Sequence, residues 1–523
     1  MDITSLTNHL FEKITSVSVD RCNLEKIGKV AVITWATYLV SSKLYDAFVG
    51  PLSGIPGPLG LKFYEMRYAP GVESPPGTSW EKLKKWRNQY GDVVRLGPNR
   101  IGISDKRMLR QILLKDDLPK GPMYTRLQRR SPPTLFNTRE KAFHKQRRRV
   151  ISPAFSVKYL NSLETYMRGT TQAFIERIDR DIEQTQNDKG YGQVDIWILL
   201  QYLALDIIGE TAFGKTFHML EGNDHIVPRT ISSNMEKSSY IVTHPILGVL
   251  LMMLPFSGIL KANDELKAFM KKIIMERLLG GEEARRDDIL QILIDTQHAN
   301  DTEDRLTADT IAQETVLFLV AGSETTSNTT GFAMIELMKN PQAFAKLQAE
   351  IDAVEFEEDQ KLFHSEQLKH LPYLNAVINE TLRLDSIAVG GAERIADRDV
   401  VLDGRVFVPK GVILHANIYH AQVDEKYWPE PEKWIPERWI ENSGYPAADQ
   451  EAFFPFSVGS RNCIGKTFAQ QEMRLSIANL VKLYDIVAIP EEVASAEERR
   501  AFITLAVKSN SYKVMMKRRT TTA

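Results

Sequence analysis

The sequence predicts a mainly α fold with small β-sheets, built as one large domain over residues 51–523 behind an N-terminal region, residues 1–50. Three observations carry this expectation. Helical periodicity dominates from about residue 80 onward. Short strand-like runs appear near 92–105, 398–414 and 503–516. After residue 58 there is no internal repeat, low-complexity segment or long polar linker.

A chain of 523 residues can bury a large core without disulfides or structural metals. Its 66 basic and 67 acidic residues nearly cancel, so nothing predicts a nucleic-acid partner or a polyanionic substrate. The two cysteines, Cys22 and Cys463, argue for a reducing compartment. They are too few for a zinc ribbon or an iron–sulfur cluster. The ten histidines include no HExxH pattern.

Residues 30–42 form an apolar run between Lys29 and Lys43, extended to residue 49 with Asp46 interrupting it. A bilayer span wants roughly 20 apolar residues. This run reaches that length only if Lys43 snorkels and Asp46 sits among the headgroups. Residues 30–49 are therefore read as a membrane anchor, with an ordinary packed helix as the alternative. The run starts too far in, and lacks the small-residue site, for a cleaved signal peptide. Lys13, Arg21, Lys26 and Lys29 precede it without settling its orientation. The PLSGIPGP stretch that follows, residues 51–58, cannot continue a helix and reads as a stiff hinge that lifts the globular part off a membrane.

Two helices can be placed. The first starts at Thr307, whose hydroxyl suits an N-cap, with Asp309 in the first turn and Leu306 able to staple to Ile311. It stops near Asn340, before Pro341. At 1.5 Å per residue it spans about 48 Å, enough to cross the molecule. Residues 316–322 are apolar all round and should be buried. The polar residues 323–326 that follow suggest a locally distorted patch: a site, or a hydrated kink without chemistry. The second helix, from about Tyr373 to Leu384, places Glu380 and Arg383 on one face, a weak signal alone.

The informative segment is FPFSVGSRNCIGKTFA, residues 454–469. Residues 454–458 read as a short extended run, and Gly459 permits a turn. Arg461 lies two positions before Cys463 and Gly465 two after, removing a side chain where something must approach closely. Helical periodicity resumes from about Ile464, so Cys463 is expected at a helix N-terminus, where thiolate is favoured over thiol. A buried thiolate needs a cation or a metal. In isolation Cys463 would read as a buried apolar residue.

The pattern Phe456-x-x-Gly459-x-Arg461-x-Cys463-x-Gly465 resembles the haem-binding loop of the cytochrome P450 superfamily. Four further stretches resemble that family in the expected order: His144-x-x-x-Arg148 before Pro153-Ala154-Phe155, Ala321-Gly322-Ser323-Glu324-Thr325-Thr326, Glu380-Thr381-Leu382-Arg383, and Pro436-Glu437-Arg438-Trp439. Together they span residues 51 to about 516. Where the family often has Pro-Pro after the Glu-x-x-Arg helix, this chain has Asp385-Ser386, which puts the shape of the turn 387–392 in doubt. His144 stands where many members have tryptophan.

The resemblance implies a cytochrome P450 fold of one large haem domain and a haem-thiolate monooxygenase of the fungal microsomal type. Cys463 would be the axial ligand of the haem iron. Phe456, Gly459 and Gly465 would shape its loop, and Ala321 and Gly322 would line the oxygen side. Arg461, Arg148, His144 and Arg394 would pair with the haem propionates; the alternative for residues 147–149 is a solvated charge run. Thr325 would hydrogen-bond dioxygen and Glu324 would relay protons. Glu380, Arg383 and Arg438 would form a buried structural network. With no GxGxxG turn in the chain, electrons would come from a separate NADPH-dependent flavin reductase docking on the cysteine side, near Lys145, Arg149 and Lys466.

The same resemblance implies an endoplasmic-reticulum membrane protein facing the cytosol, acting on a lipophilic small molecule: a steroid, terpenoid or fatty acid, with steroid or terpenoid hydroxylation favoured. Expected pocket contributors are 123–136, Phe318, Ala321, 387–392 and a hairpin tip near Leu505. The apolar stretch 244–260 is read either as an entry route dipping into the membrane or as a buried helix pair. Three rivals remain. A P-loop is off by one, since Ser460 stands where its first glycine is needed. The others are a haem-thiolate isomerase or dehydratase needing no external electrons, and a haem-binding sensor or carrier.

Overall fold

The computed structural model describes residues 21–66, 75–128, 132–222, 258–357 and 361–520. Helix α1 (Arg21–Phe48) projects its apolar side chains outward: Val30, Ile33, Trp35 and Tyr38 are each more than 60% exposed. Lys43 and Asp46 fall inside this helix. Its C-terminal end docks on the domain, with Phe48 edge-on to Phe63 at 5.8 Å. The segment expected to act as a hinge is seated instead: Leu52 and Ile55 are buried, and Arg95 holds the Leu52 carbonyl at 2.6 Å. An unpaired backbone there would be costly, so the proline-rich stretch is fastened to the neighbouring strand.

That strand, β1 (Val93–Gly97), forms an antiparallel hairpin with β2 (Arg100–Ile103). The basic helix α2 (Lys141–Ile151) and the long α3 (Glu164–Thr185) follow, then β3 (Gly192–Asp195) and α4 (Ile196–Ile208). Residues Ile196–Phe213 are apolar and long enough to cross a membrane, yet 78% of that stretch is buried inside the fold. It is a core helix. Of the apolar stretch 244–260, residues 244–257 lie outside the described residues, and the last three open a helix, Gly258–Leu279.

Helix α5 (Ala308–Lys339) crosses the core against α4. Thr307 caps it, accepting the Thr310 N–H at 3.2 Å. Trp197 packs edge-on to Phe332, and a Cβ at Gly331 would lie 2.5 Å from the Trp197 ring, so only glycine permits this approach. Two expectations fail along α5. Residues 323–326 do not distort it; the Ser323 and Thr325 hydroxyls fold back on the Leu319 and Ala321 carbonyls, each at 2.8 Å, and the helix continues. Nor is 316–322 buried all round: Ala321 is exposed because this face borders a cavity, and full burial begins at Thr326.

Helix α6 (Pro372–Leu384) precedes β4 (Ala392–Ile395), the small hairpin β5 (Val400–Leu402) and β6 (Val406–Val408), and β7 (Ile413–Ala416). Strand β7 completes a four-stranded sheet in the order β1-β2-β7-β4, running parallel to β2 and antiparallel to β4. Helix α7 (Lys466–Leu483) enters the core beside α5. The chain closes with β8 (Tyr484–Ala488), the hairpin β9 (Arg499–Ala501) and β10 (Leu505–Val507), and β11 (Lys513–Arg518), which joins β3 to β8.

One buried carboxyl in this core has a measurable consequence. Glu472 on α7 is 2% exposed, and among the described residues its Oε2 has no hydrogen-bond partner. Burial pushes its carboxyl up to about 8 from 4.5. The folded state therefore binds more protons than the unfolded state between those values, and this residue's contribution to stability falls as pH rises through that window. Glu472→Gln removes the slope. Each tenfold change in proton affinity is worth ~1.4 kcal/mol. Denaturant unfolding is therefore expected to show a gain of a few kcal/mol above about pH 8, vanishing below about pH 4.5. Equal gains at both pH values would contradict a buried ionisation.

Candidate active site

Residues 454–458, expected to be extended, turn instead, with Ser457 in the left-handed region at φ 57°. Gly459 follows at φ 81°, where a Cβ would collide with the Leu113 carbonyl. The loop crosses back on itself, the Cys463 N–H bonding the Phe456 carbonyl at 2.9 Å. Helix α7 begins at Lys466 with Gly465 as its N-cap, so Cys463 lies two residues before the cap rather than at the helix N-terminus itself. The helix dipole therefore acts less on the sulfur than expected. Burial pushes the Cys463 thiol up, while the Gly465 N–H and the Arg148 guanidinium pull it down. A Cβ at Gly465 would stand 3.9 Å from the sulfur. Cys463 is exposed to a cavity of about 1290 Å³.

One wall of that cavity is basic. His144 and Arg148 reach it from α2, Arg461 from the cysteine loop, Arg394 from β4, and Lys120 from the segment bridged to Arg394. Burial and the surrounding Arg461, Lys120, Arg148 and Arg394 lower His144 to about 3, so it is neutral at pH 7. Burial together with Arg394 also lowers Lys120 well below its ordinary value and Arg461 to about 10. Glu393, the carboxylate beside Arg394, is engaged by Arg100 and by the Met123 N–H at 2.7 Å. The cluster thus repels itself, and a bound group carrying two carboxylates would relieve it. With a sulfur on the same cavity, these residues fit an iron porphyrin.

Three adjacent arginines on α2 have three different fates. Arg147 is buried against Glu314 on α5, Nε to Oε1 3.5 Å. Arg149 is exposed and pairs with Asp304 at 2.5 Å. Arg148 fastens the cysteine loop, donating to the Asn462 carbonyl at 2.7 Å and to its Oδ1 at 2.6 Å. Burial pushes the Glu314 carboxyl up to about 7, though Arg147 and the Leu135 N–H oppose it.

On the opposite wall α5 presents Phe318, Ala321, Gly322, Thr325, Thr326 and Thr329. Gly322 admits Ile208, whose Cδ1 would stand 3.1 Å from a Cβ there. The Thr325 hydroxyl donates to the Ala321 carbonyl at 2.8 Å. Glu324 does not line the cavity. Its Oε2 accepts the Thr504 hydroxyl at 2.9 Å, and it is Thr504, on the β9–β10 turn, that lines the wall. Burial raises the Glu324 carboxyl. The hairpin tip at the cavity is Phe502, Ile503 and Thr504; Leu505 turns into the core.

Behind the loop, Glu380, Arg383 and Arg438 are fully buried together. Glu380 accepts from Arg383 at 2.8 and 2.9 Å, from Arg438 Nε at 2.8 Å, from Trp439 Nε1 at 2.9 Å and from the Ile435 N–H at 2.9 Å. Arg383 also donates to the Gln422 carbonyl at 2.8 Å, and the Gln422 Oε1 accepts the Phe454 N–H at 2.8 Å. The network thus reaches the start of the cysteine loop through one glutamine. Gln422, Lys120 and the Thr504–Glu324 contact carry no local signal in the sequence, because each depends on segments that meet only in the fold.

The family model described as Cytochrome P450 matches residues 58–516. The chain is 29% identical to cytochrome P450 monooxygenase FUS8 of Gibberella moniliformis, over 98% of this chain and 97% of that one. It is 31% identical to cytochrome P450 monooxygenase acrD of Aspergillus aculeatus, over 82% of this chain and 83% of that one. It is 28% identical to benzoate 4-monooxygenase bphA of Aspergillus niger, over 82% of this chain and 86% of that one.

Proposed function

The chain belongs to the cytochrome P450 family, an oxidoreductase family with a haem cofactor, and from that premise we propose that it is a membrane-anchored hydroxylase of lipophilic small molecules. It would insert one atom of O2 into a C–H bond, with electrons from a separate NADPH-dependent flavin reductase. The observation that carries this is one cavity joining a sulfur, a basic wall and an apolar roof. Its volume of about 1290 Å³ exceeds the roughly 300–1,000 Å³ of ordinary ligand pockets, leaving room for a porphyrin and an organic molecule together.

Cys463 would ligate the iron, with Phe456, Gly459 and Gly465 holding the loop in place. Arg394, Arg461, Lys120 and neutral His144 would receive the propionates, while Arg148 fastens the loop. Haem bound there supplies oxygen activation and C–H hydroxylation. Thr325 would orient the reacting oxygen by hydrogen bonding, beside Ala321 and Gly322. Glu324, reached from the cavity through Thr504, would hold the proton that its raised pKa favours. Phe318, Leu317, Ile387 and Ile503 would exclude water and orient the substrate.

A steroid or terpenoid fits the apolar lining, with fatty acids and aromatic acids as the competing classes. Lys145, Arg149 and Lys466 are exposed, and a reductase would dock through them. The outward apolar face of α1 supports a membrane anchor, and the location at the endoplasmic reticulum with the domain in the cytosol is proposed from the family alone. The test is oxygen- and NADPH-dependent turnover, with reductase, of a panel of steroids, terpenoids and fatty acids, each first screened for a substrate-type spectral shift. Product formed without oxygen and NADPH would overturn the reading in favour of an isomerase or dehydratase. Thr325→Ala is expected to lower product per NADPH consumed by at least about tenfold while substrate binding persists. An unchanged yield would remove Thr325 from the oxygen chemistry.

A further inference from the structure

Asp385 stands at the C-terminal end of α6, where the family often has proline. It is fully buried, and its N–H bonds the Thr381 carbonyl at 2.8 Å. Its carboxylate accepts the guanidinium of Arg499, from strand β9 on a different part of the chain. Arg499 also lies 3.5 Å from Glu336 on α5 and stacks over the Phe332 ring at 4.9 Å. Lys339 completes the cluster, bonding Glu336 at 3.0 Å and Glu497 at 2.8 Å. Burial raises the carboxyls of Asp385 and Glu336, the latter to about 7, so both depend on their cations.

The cluster joins two parts of the cavity roof. Residues following Asp385, among them Ser386, Ile387 and Ala388, line the cavity, as does the β9–β10 tip. Their backbones meet where the Leu505 N–H bonds the Ile387 carbonyl at 3.1 Å. The outer end of the tip is held by the Ala501 N–H on the Gly77 carbonyl at 2.8 Å, and the inner end by Asn328 on the Leu505 carbonyl at 3.1 Å. Yet β9 and β10 have three residues each and, among the described residues, form strand pairs only with one another. Such a hairpin is marginal alone and needs an anchor. A Pro-Pro pair would stiffen the 385–386 turn covalently; Asp-Ser does not.

We propose that the Asp385–Arg499 ion pair is the positioning clamp of the cavity roof, fixing the turn after α6 and the β9–β10 tip against α5, and thereby determining the size of ligand that fits above the haem. The inference rests on the haem reading above. Small ligands that meet only the iron do not feel the clamp. Large ligands that touch the roof do.

The experiment uses the full-length holoprotein, with imidazole as the small iron ligand and clotrimazole as the bulky one, both followed by the nitrogen-ligand Soret shift. Asp385→Asn removes the charge while keeping the shape; Arg499→Met removes the cation; Arg499→Lys retains it. In the first two, clotrimazole affinity is expected to change about tenfold, with imidazole within about twofold. Amide exchange over 499–507 and 386–391 is expected to speed about tenfold while the cysteine loop stays protected. Arg499→Lys is expected to recover part of both effects. Equal responses of the two azoles, or lowered haem content without a change in their ratio, would overturn the clamp. Absence of an imidazole shift in the unaltered protein would overturn the haem reading itself, a distinguishable failure.

Discussion

A Cys463→Ser variant is expected to lose all NADPH-dependent oxidation and, where it still takes up haem, the reduced carbon-monoxide band that marks a sulfur ligand. Serine is near in shape, so the loop would close as before: the Phe456 carbonyl still receives the N–H at 463, and Arg148 still holds Asn462. What disappears is a soft anionic donor. A hydroxyl in that position is far harder to ionise than a thiol, because oxygen holds its proton much more tightly than sulfur does and the burial that raises the thiol raises the hydroxyl as well. The basic wall from Lys120 to Arg461 is untouched, so propionate binding would persist and the variant can retain haem. The measurement is the difference spectrum of the reduced, carbon-monoxide-bound protein beside haem content. A Soret band unchanged in position would end the assignment of this sulfur.

The second large effect is structural. Glu380→Gln leaves Arg383 and Arg438 buried without their shared carboxylate, five N–H donors from four residues having converged on it. Removing one partner of a buried ionic group costs about 3–5 kcal/mol, because the remaining charges cannot return to water. That is a large fraction of the roughly 5–15 kcal/mol that holds a domain together. The expected result is a strongly lowered unfolding midpoint and poor haem retention. Loss reaches the cysteine loop because Arg383 also holds Gln422, which in turn holds Phe454. A surface pair gives the contrast: Lys369→Ala, which breaks an exposed pair with Glu366, should cost about 1 kcal/mol or less. Similar midpoints for the two variants would show that the buried network contributes no more than an exposed one.

These two expectations also differ in what makes them visible. Cys463, Gly459, Arg461 and Gly465 lie within seven residues of one another, so the chain's local grammar exposes them: a glycine where φ must be positive, a small residue beside the sulfur, and helical periodicity resuming just after. The same holds for α5, where the Thr307 cap and the Pro341 stop are local chemistry, and the ends fall at Ala308 and Lys339. Glu380 and Arg383 share a helix face by spacing alone.

Other features depend on parts of the chain that the sequence keeps far apart. Lys120 meets Arg394 of β4 through a single isolated bridge from a distant segment, and their shared burial, not any motif, makes the wall basic. Which of Arg147, Arg148 and Arg149 faces the loop, a buried glutamate or solvent follows from the turn of α2 against its neighbours. Glu324 and Thr325 are adjacent in sequence, yet the helix sends one to Thr504 and the other to the cavity. The sequence by itself determined the limits of α5 and α6 and the residues of the sulfur loop, because those depend on interactions within a few residues. Only the tertiary structure decided the basic wall, the roof clamp and the facing of each side chain. Those depend on burial and on charges brought together across hundreds of residues, and no local pattern encodes a dielectric environment that exists only once the chain has folded.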